Sequence, residues 1–83
     1  MAGIEDLDTF KLEIISKSEQ IATESEVAAN RMRAIRVLQG YGEMALPSLK
    51  RVIEIGRSED EILQAMEAVT AVLQVMEADS IGG

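Results

Sequence analysis

The chain has 83 residues, no Cys, no His and a formal net charge of −7. Disulfides, thiolate or imidazole metal sites and any nucleophile–histidine catalytic set are therefore excluded. A chain this short buries only about 60–65% of the surface its unfolded form exposes, so its stability rests on helix packing, self-association or a partner.

Apolar residues make up 47% of the chain and aromatics 2%. The core must then be built from Ile, Leu, Val, Met and Ala, which suits closely packed helices better than strands. Charge is segregated along the sequence. Residues 1–29 hold seven acids and two bases, residues 30–57 six bases and two acids, and residues 58–83 six acids and no base. No apolar run approaches the roughly 20 residues of a membrane-spanning helix. The first residues are acidic where a secretory signal would be basic and then apolar, so a cytoplasmic protein is expected.

The first helix is expected over 4–22. Ile4, Leu7, Phe10, Ile14, Ile15, Ile21 and Ala22 follow a 3–4 spacing, with Asp6 and Asp8 in the first turn where the helix dipole favours negative charge. Phe10, the only Phe, is the expected core anchor. Thr23-Glu24-Ser25-Glu26 fits a capping box, and a second helix is expected over 25–40. Its inner face would carry Val27, Ala28, Arg31, Ala34, Ile35 and Leu38. Arg33 and Arg36 point away and form with Arg31 a short basic row, able either to hold an anion or to pair with the acidic helices.

Gly40-Tyr41-Gly42 ends this helix, since a glycine beyond the cap adopts the left-handed conformation without a Cβ clash. The third helix is expected over 45–56, with Pro47 in its first turn, where a missing N–H costs nothing. Leu46, Leu49, Val52 and Ile53 share one face, and Gly56 closes the helix. Ser58 with Glu61 forms the clearest capping box, and the first turn holds three acids. The fourth helix is expected over 59–78, with Ile62, Ala65, Met66, Val69, Val72, Leu73 and Met76 inward. Leu63, Ala68, Ala71 and Val75 extend its apolar character round the cylinder. Such a helix must be covered on most sides, so Leu63, Ala68, Ala71, Val75 and Met76 form the candidate interaction face. Residues 79–83 are expected to be a flexible tail.

Shifting the chain by 31 residues superposes Ala34 on Ala65, Ile35 on Met66, Leu38 on Val69 and Tyr41 on Val72, a period suited to paired-helix repeats. The segment 31–49, RMRAIRVLQGYGEMALPSL, resembles a HEAT repeat of the short bacterial and archaeal type found in bilin-lyase subunits. The match lies at Ala34 and Leu38, at Gly42, and at the Ala45-Leu46-Pro47 and Leu49 opening of the next helix. It covers about half the chain. Gly42 is followed by Glu43 where the family usually has Asp, and the second unit lacks its return helix. The resemblance implies a protein-binding surface and no conserved chemistry.

The expected fold is all-α, a compact four-helix array over 1–78 with a central HEAT-like hairpin. No phosphate loop is present, because Gly40-Tyr41-Gly42 lacks the third glycine and follows a helix. Glu59-Asp60-Glu61 is consecutive, so its side chains fan apart rather than ligate. An enzyme is not expected, nor is a cofactor, a metal or direct nucleic-acid binding. The expected function is a protein-interaction module that forms a homo-oligomer, a dimer first of all, or docks on a larger protein. The alternative is an acidic decoy that blocks a basic nucleic-acid channel.

Overall fold

A computed structural model describes the backbone of residues 4–82 and the side chains of residues 6–79. The chain is all-α, and no strand occurs among the described residues. Four α-helices follow one another: α1 (Ile4–Glu24), α2 (Ala28–Gly40), α3 (Leu46–Ile55) and α4 (Glu59–Gly82), with a 3-10 turn over Gly42–Ala45 between α2 and α3. α1 packs on α2 and α3, and α4 packs on α3 and α2. The closest pairs are α1 with α2 and α3 with α4, and the array forms a plate 37 × 37 × 17 Å.

Two local signals act as the sequence predicts. Gly42 has φ +60, which the residue beyond the α2 cap needs in order to reverse the chain. Pro47 lies in the first turn of α3. The core is aliphatic: Ile35, Leu38, Leu49 and Val52 are the largest fully buried side chains, joined by Ala34, Ala45, Ala65 and Ala68. Tyr41 packs against it from the turn.

Gly56 closes α3 in another way. Its φ of −40 is ordinary, so handedness does not demand glycine. Space does, because a Cβ there would lie 2.5 Å from Ile62 Cγ1. The missing side chain lets α4 leave the α3 terminus at close range.

The helices are unequal. α1 has 21 residues and α4 has 24, against 13 for α2 and 10 for α3. At 1.5 Å per residue the outer helices run about 31 and 36 Å and the inner ones about 20 and 15 Å. The C-terminus of α1 and the N-terminus of α4 are tied together at one end, so both long helices overhang at the other. Residues 6–13 are exposed without exception, as are Leu73, Gln74, Val75, Glu77, Ala78 and Asp79.

This overhang corrects the expectation for Phe10. It is 59% exposed, and Leu7 is similar, because no neighbouring helix extends alongside that half of α1. Ile15 and Ala22 supply the buried contacts instead. The Ile4 side chain lies outside the described residues. The expected tail also differs: α4 continues to Gly82, and Gly83 lies outside the described residues.

Candidate interaction surface

The sealed end of the plate is organised by Arg31. Its Nε donates to Glu61 Oε1 at 2.6 Å and its Nη2 to Glu61 Oε2 at 3.1 Å, while Nη1 donates to the Ser25 carbonyl at 2.6 Å. Both partners of the ion pair are buried. The Ser58 hydroxyl donates to Glu61 Oε2 at 2.8 Å, and the Glu61 amide donates to Ser58 Oγ at 3.3 Å. Arg57 adds bonds to the carbonyls of Ser25 and Glu24 at 3.1 and 3.3 Å. One cluster thus joins the end of α1, the start of α2, the end of α3 and the start of α4. The Arg31 guanidinium, then the Ser58 hydroxyl, hold the Glu61 carboxyl below its ordinary pKa against the opposing effect of burial, and Glu61 raises that of Arg31.

Arg31 therefore leaves the basic row that the sequence suggests. It lies on the buried stripe with Ala34, Ile35 and Leu38, and its donors are consumed inside the fold. Arg33 and Arg36 remain exposed. The fork of a bidentate Arg–carboxylate pair leaves no room for an external anion at Arg31. The signal was present in the sequence: a cation on an otherwise apolar stripe needs a buried partner, and Glu61 sits 30 residues on in the capping box.

The same cluster corrects the start of α2. The helix begins at Ala28, with Val27 as its cap residue and no side-chain cap bond. Thr23 Oγ1 turns back to the Glu19 carbonyl at 2.9 Å, and Ser25 Oγ accepts only the Val27 amide at 3.1 Å. The two arginines fix the Ser25 carbonyl and hold this loop without a capping box. Val27 and Ala28 are consequently exposed rather than inward.

α4 is rotated about one residue from the expected face. Glu61, Ala65, Ala68 and Val72 are buried. Ala68 is 0% exposed and so lies in the core, not on the interaction face, whereas Met66 and Leu73 are 42% and 44% exposed. Two alanines let α4 approach its neighbours closely, and the Arg31–Glu61 pair sets the rotation. Buried positions on α2 and α4 repeat at an interval of 30, with Arg31, Ile35 and Leu38 answering Glu61, Ala65 and Ala68. At the interval of 31, buried Ile35 would face exposed Met66.

The remaining face residues stay at the surface. Leu63 is 50% and Val75 62% exposed, and Ala71 and Met76 are half-buried. Ala71, Val75 and Met76 line a shallow groove with Gln39, Gly42 and Asp79. A second groove, of about 540 Å³, runs between α3 and α4 over Leu46, Pro47, Ile53, Val69 and Leu73, with Lys50 at its edge.

The chain matches no family model, no curated protein and no solved structure. Among the described residues no group of three or more acidic side chains could hold a metal ion. No described helix is long and apolar enough to cross a membrane.

Proposed function

We propose that the chain is a non-catalytic protein-interaction module that works through exposed apolar residues of α4, either by self-association or by docking on a larger protein. One observation carries this reading: Leu63, Met66, Leu73 and Val75 are all 42–62% exposed on a single helix. Leu63 and Met66 lie one turn apart and line one shallow groove, and an exposed apolar patch marks an interaction site. The decoy reading has weaker support, because Glu61 faces inward and is neutralised by Arg31.

The test is molar mass by light scattering over a concentration series, for the native chain and for Leu63→Glu and Val75→Glu. A concentration-dependent mass that either substitution lowers, with helicity intact, supports self-association. A monomer that binds a hydrophobic dye, with binding reduced by the same substitutions, supports docking on another protein. A monomer indifferent to the dye refutes the proposal.

A further inference from the structure

The charge on the neighbouring helices α2 and α4 is divided by helix. α2 contains no acid, and α4 contains no base. With Arg31 paired internally, the exposed charges are Arg33 and Arg36 on α2 and acids that include Glu67 on α4. These neighbouring rows do not neutralise each other. Among the described residues the ion pairs are Arg31 with Glu61 and Arg51 with Glu19. Exposed opposite charges on neighbouring helices thus leave their attraction unused within the chain.

The register of the two rows is set. Arg31 meets Glu61 at one end of the two helices, and at the other Gln39 and Gly40 line one groove with Ala71, Val72 and Val75. Residues of α2 therefore lie level with residues about 30 further on in α4. Arg36 is level with Glu67, and Arg33 with the exposed Leu63.

We infer that α2 and α4 pack against a second copy of the chain, laid so that Arg36 on α2 in each copy meets Glu67 on α4 in the other. The inference rests on the self-associating form of the proposed function. Half a turn about an axis parallel to the helices, between α2 and α4, brings this about. It exchanges α2 and α4 and leaves their heights unchanged, so Arg36 of each copy faces Glu67 of the other. Leu63 and Met66 supply the apolar part of the contact beside the charges. The arrangement is self-complementary and closed, so it ends at a dimer rather than a filament. An axis across the helices would set α2 on α2 and oppose like charges, which disfavours that orientation.

Charge reversal tests this directly. Each substitution acts twice in such a dimer. Arg36→Glu alone and Glu67→Lys alone should each weaken dimerisation at least about tenfold, with helicity unchanged. Mixing the two variants should restore dimers, and so should combining both changes in one chain. Restoration on mixing is decisive, because each variant by itself holds only like charges at these two positions. Rising salt should dissociate the native dimer. If the native chain dimerises but neither substitution changes its mass, the charge-matched arrangement is wrong while self-association stands. If the native chain is monomeric at every concentration, the second-copy assignment is wrong, and docking on a different protein is what remains of the proposed function.

Discussion

Replacing Gly56 by Ala tests the packing argument at the α3–α4 junction. The added Cβ would lie 2.5 Å from Ile62 Cγ1, 3.1 Å from the Val52 carbonyl oxygen and 3.4 Å from Ile62 Cδ1. Carbon atoms in ordinary contact sit about 3.5–4.0 Å apart, so about 1 Å of overlap must be relieved. Neither neighbour retreats easily. The Val52 oxygen is held by the Gly56 amide at 2.7 Å, and Cγ1 is one bond from the Ile62 backbone-anchored Cβ. Overpacking of this kind costs about 1–3 kcal/mol. Losing a glycine stiffens the unfolded chain and returns about 0.4–1 kcal/mol. The expected net loss is about 1–2 kcal/mol, a fall in Tm of about 4–16 °C for a domain of this size. Thermal unfolding followed by far-UV circular dichroism measures it. Ile62→Ala removes Cγ1, the atom of the severe clash, so the double variant should be more stable than the two single effects predict by about 1 kcal/mol. If Gly56→Ala matches or exceeds the native Tm, or the two effects add within about 0.5 kcal/mol, the steric reasoning is refuted.

Two further expectations concern the core and the sealed end. Leu49→Ala removes a fully buried side chain and should cost about 2–5 kcal/mol by chemical denaturation, whereas Phe10→Ala on the overhang should change stability by no more than about 0.5 kcal/mol; equal effects would contradict the core described above. The Glu61 carboxyl has its pKa lowered in the fold, so its stabilisation is present above the ordinary carboxylate range and is lost as pH falls through the depressed folded value. The denaturation midpoints of the native chain and Glu61→Gln should thus differ most near neutrality and converge in acid, and a gap independent of pH would rule this linkage out.

Much of the architecture is legible from residues that act locally. Gly42, Pro47 and Ser58 each mark a helix boundary through their own backbone or capping chemistry, and each boundary falls within a residue or two of its expected place. The rotation of α4 is not legible in that way. Its apolar residues run most of the way round, so periodicity selects no unique face. Ala65 and Ala68 decide it by allowing close approach, and Glu61 decides it by reaching a partner 30 residues away. Phe10 shows a different gap. Spacing along α1 identifies a stripe but carries no information on the lengths of α2 and α3, and those lengths leave Phe10 uncovered. Of the candidate site, Leu63, Ala71, Val75 and Met76 are at least partly accessible, while Ala68 and Arg31 belong to the interior.

The unequal helix lengths bear on how the molecule breathes. A free helical stretch of a few turns is marginal in water, because only packing offsets the cost of ordering it. The two overhanging halves should exchange their amide hydrogens quickly, and the end tied by Arg31, Glu61 and Arg57 should exchange slowly. Opening would then begin where Phe10 and Val75 stand and progress toward the polar cluster. A molecule seated on the overhangs would have to order them as it bound, so its association would carry a larger negative heat-capacity change than rigid docking on the same area.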